Sequence, residues 1–293
     1  MQALEGAIPD AAPAPRAGAL GLGRVILRSP TATAGVILIV VCLLAAIFGP
    51  LLDHVNPTAQ HLSQHFLPPS PSHPLGTDEL GRDILSRILT GARYSIVSAV
   101  CVVGSAIVVG TAVGITAGYF GGWWDDAVMR VTDIFLAFPG LILAMAIAAV
   151  LHPSLVNAVI AIAVTWWPGM ARLMRGQTLS IRNNAYVEAA SALGVGRVGI
   201  LRRHILPNAF TPVLVQATLD VGNAILTVAG LSFIGFGAQP PTPEWGLMVS
   251  EGRNFLATQW WIPTMPALAI LAVVLGFNLA GDGLRDLLDP RDD

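Results

Sequence analysis

Apolar side chains along this chain come in long runs rather than in one-sided stripes. Six runs stand out: 33–52, 95–120, 134–150, 155–171, 209–236 and 260–281. A helix rises about 1.5 Å per residue, so about 20 residues cross the ~30 Å hydrocarbon layer of a bilayer. The third and fourth runs are on the short side of that length. Backbone amides inside a bilayer have no water to bond, so each run is predicted to be helical. The pattern predicts an all-α, polytopic membrane protein with six transmembrane helices.

The polar stretches between the runs carry their own signals. Residues 1–23 are rich in Ala, Pro and Gly and read as a disordered tail. No apolar core follows a basic start there, so they do not read as a secretory signal. After a Pro/His-rich loop comes GTDELGRDILSRILTGAR (76–93). Thr77 can cap a helix, and Asp78 and Glu79 suit its first turn. Ile84, Leu85, Ile88 and Leu89 share one face, which predicts an amphipathic helix at the outer interface leading into the second run. Further on, Asn184 can cap a helix of Ala185 to Leu193 that has Glu188 near its first turn and Gly194 as its stop. A second helical piece, about 197–206, is expected to end at Pro207. The expected division is a tail at 1–30, a first transmembrane helix at 31–53, a loop with its interfacial helix at 54–93, a core at 94–282 containing the short helix at 185–194, and a tail at 283–293.

Composition narrows the picture. The chain is 54% hydrophobic and 12% charged, where soluble domains carry about a quarter charged residues. A net charge of −2 with no basic tail gives no reason to expect nucleic acid as a partner. All sixteen basic residues are arginine. Without lysine a phosphate-binding G-x-x-x-x-G-K-[ST] loop is impossible, so nucleotide-driven work would belong to another chain. If the N-terminus is cytoplasmic, twelve arginines fall on the inside and only Arg82, Arg87, Arg93 and Arg253 on the outside. That asymmetry predicts cytoplasmic termini and a cytoplasmic 185–208 segment. Cys42 and Cys101 lie in apolar runs, and His54, His61, His65 and His73 show no ordinary metal-ligand spacing, so neither set suggests a metal site.

Ionisable groups inside spans are costly and draw functional hypotheses. Asp220 is the clear case, with Gln216, Thr218 and Asn223 within a turn of it. It reads either as a carboxylate bonded to a neighbouring helix or as the polar lining of a solute path that meets a cationic group. Asn278 and Asp282 are weaker candidates. Gly110, Gly114 and Gly118 recur every four residues in the second run, which suits close helix packing either within the chain or against a partner subunit. No nucleophile–base pair supports catalysis: G-x-S-x-G and H-E-x-x-H are absent.

One stretch decides the family. Glu188-Ala189-Ala190, Gly194, then His204-Ile205-Leu206-Pro207 resembles the EAA loop of membrane subunits of binding-protein-dependent ABC importers. The form RHILPN resembles the oligopeptide/dipeptide/nickel branch. LGTDELGRDILSRILTGAR (75–93), GYFGGWWDDAVMRVTDIFLAFP (118–139), LSFIGFGAQPPTPEWG (231–246) and FNLAGDGLRDLLDPR (277–291) resemble the second permease subunit of that branch. The resemblance covers about 24–291. It implies a type I ABC importer transmembrane domain that takes no cofactor itself, ATP and Mg being held by partner ATPases. It also implies a sister permease, two ATP-binding subunits, an extracytoplasmic solute-binding protein and surrounding lipid in a bacterial inner membrane. It makes Glu188, Ala189, Ala190, Gly194, His204, Leu206 and Pro207 the ATPase-coupling residues, and a peptide the expected cargo. Nickel, glutathione or another small solute is the alternative. One departure is Val228, where many relatives carry a glutamate; Asp220 does not share its helix face.

Overall fold

The computed structural model describes residues 30–52 and 56–288. The expected tail at 1–23, His54 and residues 289–293, which include the last three of the closing motif, lie outside the described residues. Nine helices carry the described fold. They are α1 (Pro30–Leu52), α2 (Ile84–Phe120), α3 (Gly122–Leu136), α4 (Gly140–Leu151), α5 (Leu155–Arg182), α6 (Ala185–Ala192), α7 (Arg197–Ile234), α8 (Trp245–Gly252) and α9 (Trp261–Leu288). Single 3-10 turns lie at Leu62–Gln64 and Arg253–Phe255, and no strand is present among the described residues.

Five of these helices (α1, α2, α5, α7 and α9) are long and apolar enough to cross a membrane. The expected third span is instead a bent pair: α3 and α4 meet at 84°, and counted as one span they bring the number to six. Pro139 explains the break. It cannot donate a backbone hydrogen bond and pushes Phe138 away from helical geometry. The helices run alternately, so the bundle has two ends. We call the end holding residues 56–83 and 235–260 the loop end, and the end holding 183–196 the arginine end.

The centre of the bundle is α2 against α5. Here the glycine stripe has its use. A Cβ at Gly110 would fall 2.6 Å from Met170 Cβ and one at Gly118 would fall 2.8 Å from Thr178 Cβ; one at Gly114 would overlap the Ala171 carbonyl oxygen. The stripe thus seats α2 on α5 of the same chain, the first of its two readings. Ala99, Val102, Ala158, Ala161, Ile162, Ala224, Ile225 and Leu231 fill the core between α2, α5 and α7. Val228 is buried there too, at 1% exposure, so position 228 of this chain faces the core.

Two expectations at the loop end are revised. The helix begins at Ile84 and runs unbroken to Phe120, with Asp83 as its N-cap accepting from the Ser86 amide at 2.9 Å. Thr77 caps no helix; its hydroxyl donates to the Gln64 carbonyl at 2.6 Å and accepts from the Leu67 amide at 2.8 Å, folding the loop on itself. Arg82 and Arg87 are buried, each 2% exposed. Asp78 Oδ2 accepts from both, at 2.6 Å each, and Glu251 of α8 accepts from both, at 3.2 and 2.9 Å. Buried guanidinium groups demand carboxylate partners, and here the partners come from a loop and a distant helix. The network therefore ties the 76–83 segment and α8 to the start of α2. Glu244, fully buried, caps α8 by accepting from the Gly246 and Leu247 amides at 3.0 and 2.9 Å, and Ser95 of α2 donates to it at 3.2 Å.

At the arginine end α5 continues past the expected limit at 171 to Arg182. At 28 residues it is about 42 Å long, more than the hydrocarbon layer needs. Its last turns carry Arg172, Arg175 and Arg182, and each has a partner. Arg175 makes a closed fork on Asp125 of α3, Nε to Oδ1 and Nη2 to Oδ2, both 2.6 Å. Arg182 donates to the Gly118 carbonyl at 2.8 Å, satisfying the end of α2. Arg172 donates to Asp133 of α3 at 2.6 Å.

Candidate functional site

The short helix α6 stands at the arginine end between α5 and α7. Asn183 and Asn184 end α5 and start α6, though the Asn184 side chain makes no capping bond. The helix ends in a Schellman motif: the Gly194 amide donates to the Ser191 carbonyl at 3.0 Å and the Val195 amide to the Ala190 carbonyl at 3.1 Å. Gly194 has φ +84°, which only glycine adopts without strain. The space a Cβ would enter there is open. Within this chain the glycine is needed for its backbone angle, not for room.

Two side chains anchor α6. Val187 is buried against an apolar cluster of Met174, Ile181, Ile200, Ile205, Ala209 and Val213, and Ala190 is buried one turn further on. The rest of α6 faces out: Glu188, Ala189, Ser191 and Ala192 are exposed, and Leu193 just beyond is 86% exposed. The outward face of α6 is thus acidic and small, with an exposed leucine just past its end. Glu188, Ser191, Arg182 and Arg197 line a cavity of about 440 Å³ beside it. Of the other expected coupling residues, Ala190 is buried. Leu206 is half-buried against the same cluster. The His204 ring lies 6.3 Å from the Tyr186 ring, and its carbonyl accepts from Asn208 Nδ2 at 2.5 Å.

Pro207 does not end a helix. The chain from Arg197 continues through one π-helical turn, Leu201–Ile205, straight into the long span, with Pro207 in the first turn of the regular helix that follows. Proline is tolerated there because its missing amide has little to bond. The wide turn adds a residue to the helix without breaking it. Arg197 to Ile234 is therefore one continuous rod.

A second feature lies higher in the bundle. Gln216, Asp220, Asn223 and Thr227 recur at helical spacing down one face of α7, and they line a cavity of about 630 Å³ with Leu136, Gly140, Thr165, Trp166 and Gly169. The three expected pathway residues are thus brought to one wall. Gln216 Nε2 donates to Asp220 Oδ1 at 2.9 Å. Thr218, considered with them, points elsewhere and bonds the Leu214 carbonyl at 3.0 Å. Asn278 sits against Gly222 of α7, away from that wall, and Asp282 is exposed. Thr227 was readable as the next step of the 216–220–223 stripe; the α5 wall was not, because Thr165, Trp166 and Gly169 follow no polar period.

Comparison with known proteins places these features. Residues 110–292 match the model of the binding-protein-dependent transport system inner membrane component. Residues 23–69 match that of the N-terminal TM domain of oligopeptide transport permease C. A probable D,D-dipeptide transport system permease protein of Escherichia coli K12 is 48% identical over 263 residues, 90% of this chain and 88% of its own length. A dipeptide transport system permease protein of Alkalihalophilus pseudofirmus is 46% identical over 264 residues, 90% of this chain and 87% of that one. A glutathione transport system permease protein of Pectobacterium atrosepticum is 45% identical over 223 residues, 76% of this chain and 74% of that one. Among solved structures, a chain of the MetNI methionine ABC transporter in inward-facing form superposes with a TM-score of 0.57 at 19% identity, covering 69% of this chain and 97% of that one. At that identity the likeness speaks for the fold, which is that of a type I ABC importer membrane domain. This chain belongs to the family of binding-protein-dependent transport system inner membrane components, as a non-catalytic permease subunit.

Proposed function

We propose that the chain is one of two membrane subunits of an ATP-driven importer of di- or oligopeptides in a bacterial inner membrane. A sister permease completes the pathway, two ATP-binding subunits sit beneath it and hold ATP and Mg, and an extracytoplasmic binding protein delivers the cargo. The arginine end faces the cytoplasm together with both termini, in keeping with the arginine asymmetry. The observation that carries the reading is α6: a short helix anchored by Val187 and Ala190 that turns Glu188, Ala189 and Leu193 outward. It enters a cleft of an ATPase subunit. Closure of the ATPases favours one arrangement of α6, and the continuous rod beyond it carries that preference into the bundle. The face bearing Gln216, Asp220 and Asn223 lines the solute path.

The dipeptide permeases among the relatives support a peptide cargo. The alternative is the same machinery importing glutathione, nickel or another small solute, and the glutathione permease relative favours its first form. A stand-alone secondary transporter is the remaining rival, and α6 gives it no role. The test is affinity purification of the tagged chain from its host in mild detergent, with mass spectrometry of proteins and small molecules. Recovery of a sister permease, ATPases and a peptide-loaded binding protein is expected. A chain recovered alone, from a preparation that keeps other membrane complexes intact, would return the secondary transporter to first place.

A further inference from the structure

Three arginines end α5, and one of them is bonded differently from the others. Arg175 spends its fork on Asp125. Arg182 closes the end of α2. Arg172 makes one bond, Nη2 to Asp133 Oδ1 at 2.6 Å, and among the described residues Nη1 and Nε have no partner. Its pair is also open: the side chains of Arg172 and Asp133 are 54% and 59% exposed, against 33% and 12% for Arg175 and Asp125. A guanidinium presents five donors in a planar fork suited to a carboxylate, so Arg172 has a vacant edge for a second one.

The pair lies about one helical turn from residues that line the pathway cavity. Arg172 follows the wall residue Gly169 by three positions, and Asp133 precedes the wall residue Leu136 by three. On a helix three residues make about one turn on the same side. Both steps lead toward the arginine end, so the ion pair lies about one turn inward of the wall that Asp220 shares with Gly169. Asp220 is equally incomplete: Gln216 bonds Oδ1, and among the described residues no cation is paired with the carboxylate.

We infer that the cavity binds a zwitterionic peptide end to end, with its ammonium group at Asp220 and its carboxylate on the vacant fork of Arg172, in exchange for Asp133. The inference rests on the peptide-importer reading above. A dipeptide spans about 7 Å when extended, the reach that the two charged groups must match. The cavity of about 630 Å³ lies within the ordinary range for a small-molecule site. Asp133 competes with the cargo carboxylate, so the empty site keeps Arg172 neutralised and the loaded site frees Asp133.

The test uses the purified complex of both permeases and the ATPases, with the binding protein left out. Equilibrium dialysis of radiolabelled Ala-Ala is competed with N-acetyl-Ala-Ala and with Ala-Ala-amide. Arg172→Gln is expected to weaken Ala-Ala by about tenfold or more, as loss of a charge-assisted bond requires, and to leave the amide unchanged. Asp220→Asn is expected to weaken Ala-Ala similarly and to leave the acetyl peptide unchanged. Asp133→Asn removes the competitor and is expected to tighten Ala-Ala severalfold but not the amide, a gain that misfolding cannot imitate. Equal affinities across the variants, or no Ala-Ala binding by a complex that imports Ala-Ala when the binding protein is restored, would overturn the subsite and leave the importer reading standing. A complete complex that imports no peptide would overturn both.

Discussion

Arg87, in the first turn of α2, donates to Glu251 of α8 at 2.9 Å across 164 positions of chain. The same guanidinium donates to Asp78 at 2.6 Å. Removing Asp78 from such a network leaves two buried guanidinium groups to share Glu251, at a cost approaching the ~3–5 kcal/mol of a broken buried pair. Asp78→Ala is therefore expected to lower the thermal stability of the detergent-purified chain well below that of the parent. A denaturation midpoint unchanged by the substitution would mean that the network contributes nothing to the loop end.

Glu79 beside this network has a carboxyl raised above its ordinary value. Burial is the largest cause, and the neighbouring Asp78 and Glu251 add to it against the opposing pull of its own backbone hydrogen bond and of Arg82. A raised acid favours its protonated form in the folded state. Its contribution is complete below the ordinary value near 4.5 and is lost as pH climbs through the raised one. The 56–83 loop is thus expected to resist proteolysis better at mildly acidic than at neutral pH, and Glu79→Gln should flatten that dependence. A steeper dependence in the Gln variant would reverse the assignment.

Gly114 has no room for any side chain against the Ala171 carbonyl. Gly114→Leu is expected to force α2 off α5, with a loss of at least the ~1–3 kcal/mol typical of overpacking. Surface expression and melting temperature check it. Normal values for both would require the two helices to separate at no cost.

For the coupling helix, two substitutions at Gly194 separate backbone strain from docking. Gly194→Ala costs about 1–2 kcal/mol through the positive φ, as left-handed backbone does for any L-residue. Because the space at Gly194 is open within this chain, Gly194→Trp adds bulk only toward a partner. The Trp variant is expected to reach the membrane and lose transport-coupled ATP hydrolysis, while the Ala variant keeps most of it. Equal coupling in both would place α6 away from the ATPases.

Asp220→Asn is expected to assemble normally and to lower uptake of cationic cargo by about tenfold in transport assays. Uptake unchanged across cargoes would make Asp220 a carboxylate held only by Gln216.

Much of this architecture is legible in the order of residues. Long apolar runs dictate helices because a bilayer offers the backbone no other partner. The short helix of the EAA stretch, its stop at Gly194 and the stripe of Gln216, Asp220 and Asn223 depend on local chemistry, so a linear reading reaches them. Other features depend on what meets across the bundle. The burial of Arg82 and Arg87 is settled only when Glu251, far along the chain, is brought beside them. Thr77 resembles a helix cap until the Gln64 carbonyl takes its hydroxyl. The glycine stripe could have faced either a partner or α5, and only packing against Met170, Ala171 and Thr178 decides it. Pro207 signals a stop by local rules, yet a π-helical turn carries the helix past it. The distinct roles of Arg172, Arg175 and Arg182 are set by acids and a carbonyl on other helices. The sequence by itself determined where helices form, because backbone hydrogen bonding in lipid is a local demand. Tertiary structure decided which polar groups are spent and which stay open, because a buried charge is settled only by the partner that reaches it.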